Sequence, residues 1–165
     1  MRTLILLRHA KAVRAHEAPD DKSRMLTGRG RREATEAGVA MAAAGLKPTL
    51  ALVSTAVRTR ETAAFGLADF RLEQRFEDAL YHAAPEGIWD AFAASDGESV
   101  VVVGHNPGVG ELASILVHQA HDGSKLARDL SGHFPTSAYA AFEIRGDLMR
   151  AAGSRLLSAW KPDRE

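Results

Sequence analysis

Cysteine is absent from the 165 residues of this sequence. Disulfide bonds, metal sites built on thiolates and catalysis by a cysteine nucleophile are therefore excluded. A charge excess of one sign is also missing, since Lys and Arg together number 21 and so do Asp and Glu. Without a basic excess, we expect neither a nucleic acid nor an acidic membrane surface as a partner.

Long apolar runs are missing as well. No stretch approaches the roughly 18 consecutive apolar residues that a membrane-spanning helix needs. The first apolar run, residues 4–7, is ended by Arg8 and is too short for the hydrophobic region of a secretory signal peptide. Together with the absence of cysteine, this pattern predicts a cytoplasmic protein.

The order of apolar runs and turn residues predicts a single α/β domain spanning residues 1–165. A chain of this length buries roughly two-thirds of its unfolded surface. Strands are predicted at residues 3–7, 50–53, 71–76, 99–103, 138–144 and 154–160. Helices are predicted at residues 28–44 behind a Thr27 cap, at 57–67, at 85–92 and after the N-cap signature Asn106-Pro107. Residues 119–133 are polar and are predicted to form a loop.

Basic side chains follow three of the predicted strands where those strands end. Arg8 and His9 follow the first strand, Arg58 comes five residues after the second, and His105 follows the valine-rich strand 99–103. Each residue alone has an ordinary explanation as a surface, helix or turn residue. If the three strands are parallel and adjacent, however, the four groups meet at the edge where α/β sheets bind ligands. Two arginines there can bind a phosphate group bidentately, and the N-terminus of the following helix favours an anion.

Three segments also resemble, in order, the motifs of a known family. They are Leu7-Arg8-His9-Ala10, Ser54-Thr55-Ala56-Val57-Arg58-Thr59-Arg60-Glu61-Thr62 and Val102-Val103-Gly104-His105-Asn106. The set resembles the signatures of the histidine phosphatase superfamily, which is also called phosphoglycerate mutase-like. Residues 8–12, 21–27, 80–83 and 105–107 are similar to its small SixA-type phosphohistidine phosphatases. Two departures from the family pattern, Ala10 for Gly and Met25 for Pro, touch no phosphate ligand.

The resemblance implies a three-layer α/β/α sandwich around a mostly parallel sheet, with no metal or other cofactor. It implies that His9 is the nucleophile and that Arg8, Arg58 and His105 bind the phosphoryl oxygens. A covalent phosphohistidine would form on His9 and then be hydrolysed by water. His9 must be neutral to attack phosphorus, and the sequence does not identify the hydrogen-bond acceptor that fixes its tautomer.

The substrate depends on whether a carboxylic acid protonates the leaving group. Glu77 and Asp78 are the candidate acids, but their segment has no clear match to the acid motif of the superfamily's mutases and alkyl phosphatases. Phosphohistidine is less demanding, because its ring nitrogen, with a pKa of about 6.5, leaves as neutral imidazole once protonated. We therefore predict a phosphatase acting on phosphohistidine in a protein. A small-molecule phosphomonoesterase or mutase of the same superfamily, and a non-catalytic phosphate-binding module, remain alternatives.

Other polar residues near these motifs are given structural roles. Asp20 and Asp21 match no standard metal-ligand spacing with the motif histidines, and the arginines would repel a cation. Asp21 and Arg24 are predicted to brace the loop behind the first motif. His82 is either a wall of the site or an ordinary loop histidine, and the loop interpretation is favoured.

Overall fold

A computed structural model describes residues 1–146 and 154–163 of the chain. Six strands form one sheet in the order β3-β2-β4-β1-β5-β6. The first four strands of that order run parallel, while β5 and β6 are antiparallel to their neighbours. The strands are β1 (Arg2–Arg8), β2 (Leu50–Ser54), β3 (Glu73–Glu77), β4 (Ser99–Gly104), β5 (Tyr139–Ile144) and β6 (Arg155–Trp160).

Helices cover both faces of this sheet. They are α1 (Gly28–Ala43), α2 (Val57–Gly66), α3 (Pro85–Ala94), α4 (Gly108–Ala120) and α5 (Lys125–Gly132), with short 3-10 turns at Ala15–Glu17 and Asp78–Leu80. No helix within the described ranges is long and apolar enough to cross a membrane.

Alternate side chains of the central strands pack into two separate hydrophobic cores, one on each face of the sheet. Leu4, Leu6, Val100 and Val102 pack on one face with apolar side chains of α3, α4 and α5. Their sequence neighbours, including Ile5 and Val101, pack on the other face with α1 and α2. Because strands of a parallel sheet are buried on both faces, they appear in the sequence as continuous apolar runs. The predicted three-layer α/β/α sandwich with a mostly parallel sheet is therefore confirmed.

Two local predictions were wrong. The predicted loop at residues 119–133 contains α5, whose cap is Ser124, because its hydroxyl accepts a hydrogen bond from the Ala127 amide at 3.1 Å. This helix is difficult to predict because it has only eight residues, most of them polar, and buries only Ala127 and Leu130. The helix after β4 begins at Gly108 rather than at Pro107, but the Asn106 side chain accepts a hydrogen bond from the Gly110 amide at 3.0 Å, as expected of a capping residue.

Candidate active site

The three strands that carry the predicted site residues lie side by side. β4 separates β2 from β1 in the sheet, and all three run in the same direction. In the ladders, Arg8 is paired with Gly104, so the ends of β1 and β4 are level. The rings of His9 and His105 are consequently 5.4 Å apart between centroids. The predicted convergence of the strand ends is confirmed.

The His9 ring has one defined tautomer. Its Nδ1 lies 2.7 Å from the carbonyl oxygen of Ala10. A carbonyl oxygen only accepts hydrogen bonds, so Nδ1 carries the proton and Nε2 keeps a free electron pair. Burial is the main cause that lowers the pKa of His9 to about 3; the Ala10 bond opposes this shift in part, and the nearby Arg8, His105 and Arg58 add to it. His9 is therefore a neutral imidazole at pH 7.

Arg58 is held rigidly at the start of α2. Its side chain is only 3 % exposed. Nη1 donates to the backbone oxygen of Asp21 at 2.7 Å, and Nη2 donates to Oδ2 of the same residue at 3.0 Å. Arg8 is anchored on the other side of the site, where its Nη1 donates to the carbonyl of Phe134 at 3.1 Å. A guanidinium has five N–H donors, so these contacts orient both side chains without using all of their donors.

His105 is oriented by Ser54, the last residue of β2. The Ser54 hydroxyl lies 2.7 Å from His105 Nε2 and also accepts a weaker bond from the Ala56 amide at 3.5 Å. Among the described residues, Nε2 is the acceptor within reach of the hydroxyl proton, so the hydroxyl donates to Nε2 and the proton of the neutral ring lies on Nδ1. Burial, followed by the charge of Arg58, lowers the pKa of His105 to about 3. In the described part of the chain, the buried Nδ1 has no hydrogen-bond partner.

Asp21 forms the outer edge of the site. Its carboxylate accepts hydrogen bonds from the Tyr81 hydroxyl, from Nε2 of His82 at 3.1 Å, from Arg58 and from Arg24 at 3.1 Å. These donors, Tyr81 first among them, hold the pKa of Asp21 well below its usual range. Arg24 also donates to the carbonyl of Val13 at 2.8 Å, as expected of a residue that braces the loop.

His82 lies in a turn, as favoured, but the structure also supports the alternative that it borders the site, and the prediction for Asp21 was incomplete. The His82 ring lies 4.9 Å from the His105 ring, so it borders the site rather than an unrelated loop. Asp21 braces the loop but also holds Arg58, 37 residues away in the chain. The sequence carried one signal for His82, its position within the family-like segment 80–83.

The two candidate acids lie at the end of β3. Asp78 accepts hydrogen bonds from Thr55 at 2.5 Å and from Lys22 at 3.0 Å, and its side chain is 80 % exposed. The Thr55 bond and then the Lys22 charge lower the pKa of Asp78, so it is an anion at neutral pH. Glu77 is paired with Ser54 in the β2–β3 ladder, which places its backbone near the same edge.

The arrangement combines a neutral imidazole, which has a free electron pair, with two guanidinium groups that can bind an anion. No cluster of three or more His, Asp or Glu side chains among residues 1–146 and 154–163 could hold a metal ion. The fold and these residues define a class of α/β protein whose site can bind a phosphoryl group beside a neutral imidazole.

Comparisons with known proteins narrow this class to a family. No family model matches the chain. It is 33% identical over 145 residues to an uncharacterized protein of Mycobacterium tuberculosis, covering 85% of this chain and 88% of that protein. It is also similar to solved structures of putative SixA phosphohistidine phosphatases. The one from Nakamurella multipartitia has a TM-score of 0.83 and 32% identity over 98% of this chain and 96% of that chain. The one from Agrobacterium tumefaciens has a TM-score of 0.80 and 30% identity over 98% and 99%.

The chain belongs to the histidine phosphatase superfamily, in its SixA-type branch. Its structural neighbours are phosphatases, which supports phosphatase activity for this chain.

Proposed function

We propose that this protein hydrolyses phosphohistidine on a partner protein through a covalent phosphohistidine intermediate on His9, without a metal. The observation that carries the proposal is the bond between His9 Nδ1 and the Ala10 carbonyl. It leaves Nε2 of a neutral ring as the nucleophile, at the sheet edge where Arg8, Arg58 and His105 also lie. The substrate name of the SixA-type neighbours is carried over here as part of the proposal.

The reaction takes two displacements at phosphorus. In the first, His9 Nε2 attacks, the bond to the leaving nitrogen breaks, and the phosphoryl group moves to His9. In the second, water attacks the same phosphorus, the bond to His9 breaks, and inorganic phosphate leaves. Charge spreads over the phosphoryl oxygens in both steps, and the guanidinium groups of Arg8 and Arg58 stabilise it. The Nδ1–H of His105 is the neutral donor to one of these oxygens.

Neither aspartate at this edge can serve as the carboxylic acid of the mutase-like alternative. An alkoxide leaves slowly unless an acid protonates it, and that acid must hold a proton at neutral pH. Asp21 and Asp78 are both held as anions by their donors. A departing imidazole needs no carboxylic acid. Asp21 and His82 are 42% and 50% exposed, so a side chain presented by another protein can reach this edge.

A side-by-side turnover assay tests the proposal. The expected result is faster hydrolysis of a phosphohistidine protein than of p-nitrophenyl phosphate, unchanged by EDTA, with acid-labile phosphate trapped on the enzyme. His9→Ala should abolish both turnover and trapping, whereas His16→Ala, in the exposed turn Ala15–Glu17, should keep both. A strong preference for the ester would point to the small-molecule phosphomonoesterase or mutase alternative. Full phosphate release by His9→Ala would overturn the mechanism.

A further inference from the structure

His82 borders the site but has no role in the two displacements described above. Its ring lies 4.9 Å from that of His105 and 4.3 Å from that of Tyr81. Its Nε2 is 3.1 Å from Oδ2 of Asp21, the same oxygen that accepts from Arg58. One carboxylate therefore orients both a guanidinium proposed to bind phosphate and an imidazole at the solvent side of the site.

We propose that His82 is the proton shuttle of the reaction, giving a proton to the leaving group and taking one from the attacking water. The inference rests on phosphoryl transfer at His9 but not on phosphohistidine as the substrate.

Depth in the fold separates His82 from the two inner histidines. His9 and His105 are buried and neutral, so neither supplies a proton to a leaving group. His82 is half-exposed and its ring contacts the Asp21 carboxylate, so it can be reached both by solvent and by a substrate bound at this edge. The groups that face it directly are Asp21, Tyr81 and His105, and Arg58 and Arg24 act on it through Asp21.

One ring nitrogen of His82 is bound to Asp21, and the other remains available to the substrate. Nε2–H donates to Asp21, because a carboxylate accepts only. Nδ1–H of the imidazolium is then the proton that can be transferred. An Asp–His pair of this kind keeps the ring in one orientation while the second nitrogen exchanges protons.

The backbone around His82 is held in place by α4. His82 has φ 55°, in the left-handed region that few non-glycine residues adopt. The carbonyl oxygen of the next residue, Ala83, lies so close to Gly108 that a Cβ there would be 2.0 Å from it. The segment that carries His82 thus rests directly on the first residue of α4, which follows the strand end bearing His105.

The proton balance closes over one turnover. In the first step His82 Nδ1–H protonates the departing nitrogen or oxygen as its bond to phosphorus breaks, and His82 becomes neutral. In the second step neutral His82 accepts a proton from the water that attacks the phosphoryl group on His9. Phosphate leaves, His9 is again neutral, and His82 is again protonated. No other reactant is required.

The test compares leaving groups in His82→Asn, since asparagine tolerates the left-handed backbone and can donate to Asp21 but carries no exchangeable acid proton. The kcat/KM for aryl phosphates reports the first step. Phenyl phosphate releases a phenolate about as basic as that of tyrosine, with a pKa of about 10, and needs an acid. The leaving group of 2,4-dinitrophenyl phosphate does not. We expect a loss of about 100-fold on the first substrate and under about 3-fold on the second.

His121→Asn is the matched control, because His121 has φ 53° and lies at the end of α4. It should leave both substrates unaffected. An equal loss on both substrates in His82→Asn would make His82 a positioning residue and overturn the inference, as would no loss on either. A wild-type enzyme unable to hydrolyse phenyl phosphate would overturn it too. Failure of the phosphohistidine assay alone would instead remove only the proposed substrate.

Discussion

Replacing Ser54 with alanine tests whether His105 acts as a neutral donor of fixed tautomer. Ser54 is fully buried, and its hydroxyl lies 2.7 Å from His105 Nε2. The substitution leaves the volume of the β2 end almost unchanged but removes the partner of a buried ring nitrogen. Both tautomers of His105 then become accessible, and its Nδ1 no longer always carries the proton.

The expected cost has a thermodynamic and a kinetic part. A buried polar group without its partner costs about 1–3 kcal/mol in the free energy of unfolding. For a chain of this length, that lowers Tm by roughly 2–4 °C per kcal/mol. Removing one donor to developing charge costs about 10²–10³ in rate, and the variant retains the donor in only part of its molecules. We therefore expect kcat/KM to fall about 10-fold for Ser54→Ala and by the full amount for His105→Ala.

Thermal unfolding, kcat/KM and the ¹⁵N shifts of the His105 ring measure these three consequences. Ser158→Ala is the matched control, since the Ser158 hydroxyl bonds the Tyr139 hydroxyl at 2.7 Å in the β5–β6 pair. It should lower Tm without changing kcat/KM. If Ser54→Ala lowers Tm but keeps wild-type kcat/KM, or if its His105 still shows a single Nδ1–H tautomer, the assigned role of the hydroxyl is wrong.

Three further predictions concern packing, charge and pH. Gly38→Ala should lower the free energy of unfolding by about 1–2 kcal/mol in urea titrations. The added Cβ would be 2.0 Å from the Gly66 carbonyl oxygen, and this overpacking outweighs the gain in helix propensity. Gly28→Ala is the control and should not lower it, because a Cβ there meets only a flexible side chain. Arg58→Lys should lower kcat/KM about 100-fold at neutral pH. The reason is that a buried lysine loses the paired contact to Asp21 and releases its proton. The activity of the variant should recover in part as the pH falls, and a pH profile that stays flat would contradict this reasoning. The free energy of unfolding should fall as the pH drops from about 6.5 toward 3, because in this range only the unfolded chain protonates His9 and His105. Each of these two imidazoles contributes at most about 1.4 kcal/mol per pH unit. Urea titrations at several pH values measure this dependence.

The inner part of the site could be predicted because its determinants are local. Arg8 and His9 follow an apolar run, His105 follows another, and Arg58 lies in the first turn of a helix after a third. Strand direction and the rule for α/β sheets then place these residues at one edge.

The outer part of the site, formed by Asp21 and His82, could not be predicted, because its contacts join segments that are distant in the chain. Asp21 and His82 are 61 residues apart and meet only through the packing of two loops. Even the acceptor for His9, the adjacent Ala10, depends on a ring rotation that residue type does not determine. The segment Leu80-Tyr81-His82-Ala83 resembled the family pattern, yet a histidine in a loop has many roles until its carboxylate partner is known.

Burial also explains why this site needs arginine. The depth that keeps His9 neutral, and therefore nucleophilic, would equally strip the proton from a lysine placed beside it. A guanidinium keeps its charge at such depth, so Arg58 can be 3% exposed and still serve as the phosphate ligand proposed above. Asp21 offsets part of the cost of burying that charge. Among the described residues, Asp21 makes no hydrogen bond to His9. The same depth that keeps the proposed nucleophile neutral therefore restricts its positive partners to the one side chain that cannot lose its proton.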